Sequence, residues 1–184
     1  MDNSKKELRL RLKAERSGMS HDEVTLKSAV ICEKLSKLLR DKRSVMAYCS
    51  SFNEVNVDSL MKALIADGRT VAVPVTDKKT SVITPSAIEG LDEIKRGAYG
   101  IREPINTRKV HIEDMEAIIV PGLGFDRKGA RLGFGKGCYD RFLANYKGLK
   151  IGVCYEFQLF DEILSDEYDV PMDIIVTESG CYAV

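Results

Sequence analysis

Six glycines, Gly122, Gly124, Gly129, Gly133, Gly135 and Gly137, lie between two segments of regular periodicity. Before them runs Glu116-Ala117-Ile118-Ile119-Val120, short, apolar and β-branched, which predicts a buried strand. After them Tyr139, Phe142, Leu143 and Tyr146 recur at helical spacing, which predicts a helix from near Cys138. The chain must therefore pass from strand to helix through a segment rich in glycine. Arg127, Lys128, Arg131, Lys136 and Arg141 are interleaved with those glycines. Glycine lets backbone N–H groups approach a ligand because no Cβ intervenes. A helix start adds unpaired N–H groups and partial positive charge. Together these features suit a phosphate chain.

Neither familiar phosphate motif is present. A Walker A loop ending at Lys136 would need glycine where Ala130 stands and serine or threonine where Gly137 stands. The dinucleotide fingerprint fails as well, since Cys138 follows Gly133-x-Gly135 where its third glycine belongs. A surface loop with turn-forming glycines and solubilising charges is the plain alternative. Loop length argues against it, because loops this long in compact domains are usually functional or disordered, and disorder fits poorly with Phe125, Leu132, Phe134 and Tyr139 set among the glycines.

The rest of the chain predicts an α/β fold: three layers, α/β/α, around a mainly parallel sheet. Ser4–Arg16 reads as a charged helix, with Lys5 and Arg9 on one face and Leu8 and Leu12 on a neighbouring one. Ser20-His21-Asp22-Glu23 is a capping box that opens a second helix running to about Arg40, with His21 exposed. Strands are expected at 44–49, 70–75, 149–155 and 173–177, and an edge strand at 181–184. Helices are expected over 58–67, closed by Gly68, and over 159–164. Residues 80–112, with Pro85, Gly90, Gly97, Gly100 and Pro104, read as irregular structure over the sheet edge.

A length of 184 residues suits one domain over 1–184. The 28 basic and 28 acidic residues cancel, so neither nucleic acid nor an anionic membrane is indicated as partner. The charged N-terminus lacks the apolar core of a signal peptide, and no apolar run approaches the roughly 20 residues of a membrane span. The five cysteines show no C-x-x-C spacing, which fits a reduced, cytoplasmic protein without a zinc site. A monomer acting on small molecules is expected.

The residues Pro121-Gly-Leu-Gly-Phe-Asp-Arg-Lys-Gly-Ala-Arg-Leu-Gly-Phe-Gly-Lys-Gly-Cys-Tyr-Asp-Arg-Phe-Leu143 resemble the signature of the 5-formyltetrahydrofolate cyclo-ligase family, also called methenyltetrahydrofolate synthetases. Weaker similarity reaches the N-terminal helix, Glu54, the Gly100-Ile101-Arg102-Glu103-Pro104 segment and Val170–Glu178. One departure lies within the signature, where Cys138 stands in place of the first of two tyrosines. Cys138 is read as a steric replacement lining the pocket.

The resemblance implies ATP- and Mg²⁺-dependent closure of 5-formyltetrahydrofolate to 5,10-methenyltetrahydrofolate, with release of ADP and phosphate. It implies ATP contacts at Lys5, Arg9, Arg131, Leu132, Gly133, Phe134, Gly135, Lys136, Gly137, Cys138 and Tyr139. The folate would be held by Cys49, Glu54, Phe134, Gly135, Lys136, Gly137 and Cys138. Arg131 and Lys136 would carry the chemistry, and Asp140 and Asp173 would hold the metal. On the residues alone, Lys5 and Arg9 could be a solvated face, Glu54 a loop carboxylate, and Asp140 a helix-start acid complementing the dipole. Asp173 sits awkwardly at a strand's beginning, whereas parallel sheets bind ligands at strand ends. Two rivals stay open: a sugar-phosphate isomerase of similar architecture, and a folate- or nucleotide-binding module without turnover.

Overall fold

The computed structural model describes residues 3–77, 79–96 and 102–184. Helix α1 spans Asn3–Ser17 and α2 His21–Leu38. The capping box is formed: Glu23 N–H donates to Ser20 Oγ, and Ser20 N–H donates to the Glu23 carboxylate. β1 (Ser44–Met46), α3 (Asp58–Ala66) and β2 (Thr70–Thr76) follow, with Gly68 at φ +73 turning the chain between the last two. β3 is Ile83–Ile88, and β4 (Ile94–Arg96) pairs antiparallel with β5 (Arg102–Pro104). β6 (Ala117–Pro121), β7 (Gly124–Asp126), β8 (Arg131–Leu132) and α4 (Cys138–Leu143) make up the glycine-rich region. β9 (Leu149–Val153), β10 (Leu159–Phe160), β11 (Ile174–Val176) and β12 (Cys181–Ala183) complete the chain.

The main sheet has the order β12-β11-β9-β6-β1-β2-β3. Its five inner strands run parallel, and β3 and β12 close the two edges antiparallel. Strand residues alternate between two cores. Val45, Val71, Ile119 and Val153 meet Ile31 and Leu35 of α2, Leu39 at its C-cap, and Leu60 and Leu64 of α3 on one face. Met46, Ala72, Ile118, Val120 and Ile175 meet Leu143 and Tyr146, at and beyond α4, on the other. Continuous apolar strands covered on both sides are what a parallel sheet requires, so the expected three-layer α/β/α fold is observed. Among the described residues no helix is long and apolar enough to cross a membrane.

Three local expectations are corrected. Residues 83–88 form a full edge strand, not irregular structure, pairing with β2 over six positions and setting Pro85 opposite Pro74. Proline is tolerated near a sheet edge, and on the outer side of β3 the Pro85 carbonyl still accepts from Val110 N–H at 3.1 Å. Leu159–Phe160 is a strand paired with β7 and not a helix. The segment from Gly122 to Gly137 contains the β7–β8 hairpin, so it is partly ordered by a ladder of its own. Gly97, Gly100 and Ile101, from the irregular stretch and the G-I-x-E-P segment, lie outside the described residues.

Candidate active site

A cavity of about 1170 Å³ opens along the carboxyl ends of the parallel strands, just above the usual ligand-pocket range. Six segments wall it: α1, the loop after β1, the β2–β3 edge, β5, the chain from Pro121 to Asp140, and the stretch from Leu164 to Asp169. Loops leaving strand ends converge on one crevice in such sheets, which is why residues distant in sequence meet here.

α1 lies over the β7–β8 hairpin through Leu12, which is fully buried with Leu123, Leu132 and Ile163. That packing turns Lys5 and Arg9 toward the cavity. Arg9 Nε donates to the carbonyl of Gly133 at 2.9 Å, tying helix to loop. Lys5 Nζ reaches Asp166 at 2.7 Å and Asp169 at 3.5 Å. Burial pulls the Lys5 ammonium down, but those two carboxylates outweigh it and hold it above its ordinary value.

Gly135 at φ +93 and Gly137 at φ +60 occupy the left-handed region, so the loop needs glycine at both places. Between them Lys136 is exposed, and among the described residues its ammonium has no partner. α4 is only six residues long. Its dipole is correspondingly small, which leaves the loop's cations as the main source of positive charge beside it. Arg131 is nearly buried, donates from Nη2 to both oxygens of Asp140 at 3.0 and 2.9 Å, and lies 5.4 Å over the Tyr139 ring. Arg131 Nε is buried without a partner among the described residues.

The second wall centres on Glu54, 9% exposed. Its Oε2 accepts from the N–H and hydroxyl of Ser51, and its Oε1 faces Arg16 at 3.7 Å. Burial raises the Glu54 carboxyl above the ordinary range, with Arg16 and Ser51 pulling against it. Cys49 and Cys138 also border the cavity, and burial pushes the Cys49 thiol up to about 11. Tyr139 joins the second core face while bordering the cavity. Leu132 turns its side chain into the core beneath α1, so only its backbone is available to a ligand. Phe134 stands half-exposed on the rim.

The sequence model of the 5-formyltetrahydrofolate cyclo-ligase family matches residues 1–178. The chain belongs to that family. It is 34% identical to 5,10-methenyltetrahydrofolate synthetase of Aquifex aeolicus, whose NMR structure superposes with a TM-score of 0.86 over 97% of this chain and 92% of that one. The corresponding synthetase of Mycoplasma pneumoniae is 27% identical, with a TM-score of 0.79 over 97% of this chain and 99% of that one. The 5-formyltetrahydrofolate cyclo-ligase of Saccharomyces cerevisiae is 28% identical, covering 96% of each chain. The family is one of enzymes that use ATP.

Of the residues expected from sequence, all but one border the cavity. Asp173 does not. β11 runs parallel to β9, so a residue just before it lies at the amino edge of the sheet, away from the crevice. There Asp173 accepts from Lys150 N–H at 2.7 Å and pairs with Lys150 Nζ at 2.9 Å. The cavity carboxylate from the same segment is Asp169, which also caps Asp166 N–H. Sequence reasoning also missed Arg16, whose buried guanidinium donates to the carbonyls of Phe52 and Gly122. Arg102, paired with Asp58 at 2.9 Å, was likewise given no role. Nothing local marks either arginine, since their carboxylate partners are distant in sequence.

Asp140 and Asp169 are hard oxygen donors beside a cationic loop. Mg²⁺ typically takes one or two carboxylates and completes its shell with water and phosphate oxygens. Among the described residues no three Asp, Glu, His or Cys side chains come together as a metal site. The Asp140 and Asp169 donor set fits Mg²⁺.

Proposed function

We propose that this chain closes 5-formyltetrahydrofolate to 5,10-methenyltetrahydrofolate and consumes one ATP per turnover. The observation that carries the reading is the meeting of the Arg131–Asp140 loop and Glu54 on one cavity large enough for two ligands. The formyl oxygen attacks the γ-phosphorus and ADP leaves, giving an iminophosphate on N5. N10 then attacks the formyl carbon, the C–O bond breaks, and phosphate departs as N10 loses its proton. Each step needs in-line positioning and neutralised oxygens more than covalent help.

The roles follow from placement. Lys5 and Arg9 bind the phosphate chain from α1. The backbone N–H groups of Gly133–Cys138 surround it. Lys136, with a free ammonium on a glycine-fixed backbone, meets the transferring phosphoryl group. Arg131 orients Asp140 through its two hydrogen bonds. Asp140 and Asp169 would hold Mg²⁺, which supplies charge neutralisation at the phosphate oxygens. Glu54 accepts hydrogen bonds from the polar pterin edge, and Cys49 and Cys138 border that ring. The same reading takes the protein as a cytoplasmic monomer working on small molecules.

The test is the appearance of methenyltetrahydrofolate absorbance from 5-formyltetrahydrofolate with and without Mg-ATP. One phosphate should be released per folate closed. Undiminished closure in excess chelator would overturn the metal-dependent reading, and absence of closure under any condition would overturn the function.

A further inference from the structure

A smaller cavity of about 260 Å³ adjoins the first, lined by Lys13, Arg16, Ser17, Phe52 and Phe134. Phe52 and Phe134 border the main cavity too, so the notch opens into it. Both rings are unusually bare for phenylalanine, Phe52 at 67% and Phe134 at 51% exposure.

Phe52 is held outward by its backbone. Phe52 at φ +49 and its neighbour Asn53 at φ +58 lie in the left-handed region, which non-glycine residues keep only when surroundings impose it. The imposing bonds are present. Asn53 Nδ2 donates to the carbonyls of Arg16 and Met19, each at 3.1 Å, and Arg16 Nε donates to the carbonyl of Phe52 at 3.1 Å. Positive charge surrounds the second ring, with Lys13 Nζ 5.2 Å and the Arg16 guanidinium 5.9 Å from the Phe134 centroid. No carboxylate lines the notch. Arg16 is already engaged by Glu54 and two carbonyls. Lys13 is exposed, and among the described residues its ammonium touches only that ring.

Two bare aromatic faces beside an unpaired cation suit a flat ring that ends in a carboxylate. On the reading that a 5-formylfolate is the substrate, we infer that the notch receives its aminobenzoylglutamate arm, the benzoyl ring against Phe52 and Phe134 and the glutamate carboxylates toward Lys13. The connectivity agrees. The pterin lies by Glu54 and Lys136, and the notch begins at Phe52 and Phe134, each two residues from one of them. Lys13 is thereby a specificity-determining residue for the anionic end of the substrate.

The experiment compares 5-formyltetrahydrofolate with 5-formyltetrahydropteroyl amide, in which NH₂ replaces the glutamate while N10 and the benzoyl ring remain. The ratio of their kcat/KM values reads the contribution of the carboxylates. Lys13→Glu should lower that ratio about tenfold, since an exposed ion pair is worth up to about fivefold and reversal adds repulsion. Raising ionic strength should shrink the ratio in the parent enzyme and raise it in the variant, where salt screens a repulsion instead of an attraction. Phe52→Ala should lower kcat/KM for both compounds and keep the ratio. A ratio untouched by Lys13→Glu, or a rise in the KM for ATP in its place, would overturn the inference while leaving the function standing. Failure of the parent enzyme to close either compound would overturn the function, and this inference with it.

Discussion

At Lys136 the backbone sets position and packing contributes little. Left-handed glycines turn the chain on both sides, and Arg141 Nη1 anchors the Lys136 carbonyl at 2.9 Å. Lys136→Met therefore removes a charge and almost nothing from the core. kcat and kcat/KM should fall together by about a hundredfold, the effect of losing one preorganised charge-stabilising group. The melting temperature without ligand should stay within the equivalent of about 0.5 kcal/mol, while the ATP-induced rise shrinks. Near-normal kcat with a full ATP shift would remove Lys136 from the site. Glu54 is the opposite case, buried and held by Ser51 and Arg16. Glu54→Gln should weaken folate binding about tenfold, as a bond to a charged group is worth roughly 1.5–3 kcal/mol, and calorimetry should find ATP affinity nearly unchanged. Its titration depends on Arg16. Burial raises the carboxyl, and Arg16 is the main opposing influence, with Ser51 adding to it. A raised folded value contributes stability that is complete below the ordinary carboxylate range and lost as pH rises through the folded value. Arg16→Met raises it further, so the acid limb of kcat/KM for folate should move to higher pH. An unmoved limb would mean that Glu54 is not the group read there.

At the scale of elements, α1 links the two halves of the site. One helix carries Lys5 and Arg9 over the phosphate loop and Arg16 against Glu54, and Leu12 fixes it to the hairpin. Leu12→Ala should cost about 2–5 kcal/mol. Assayed well below the variant's melting temperature, it should also raise KM for both substrates, because one tilt displaces all three cations. A lower melting temperature with both KM values intact would make α1 mere cover. How much of this was legible varies by element. The inner parallel strands were readable because both their faces are buried, leaving continuous apolar runs. α2 announced itself through Ser20 and Glu23. β3 did not, because its run is short and interrupted by Pro85, and its form comes from pairing with β2. β10 is two residues long and owes its form to pairing with β7, a tertiary fact with no local signal. The phosphate loop was legible in glycines and cations, whereas Lys5 and Arg9 read alone as a solvated face and joined the site through family resemblance.

For the molecule as a whole, the decisive geometry is that a parallel sheet has two unlike ends. The crevice opens where the inner strands finish, and Asp140 and Asp169 border it. Asp173 stands where β11 begins, occupied by Lys150. Residues four apart in one segment are thus divided between opposite ends, which spacing alone could not reveal. The division makes a prediction readable by thermal melting with Mg-ATP. At about a hundred times its dissociation constant, a ligand stabilises the native state by about 2.7 kcal/mol. A roughly tenfold loss of affinity on removing one metal-binding carboxylate lowers that to about 1.4 kcal/mol. For a chain of this size each kcal/mol moves the melting temperature by about 2–4 °C. Asp140→Asn and Asp169→Asn should each halve the Mg-ATP shift, and the difference should vanish when Mg²⁺ is chelated. Asp173→Asn should lower the baseline melting temperature slightly through the lost Lys150 pair and leave the shift whole. A shift halved by Asp173→Asn and untouched by Asp169→Asn would return the metal to the segment's second aspartate and would require β11 to be repositioned in the sheet.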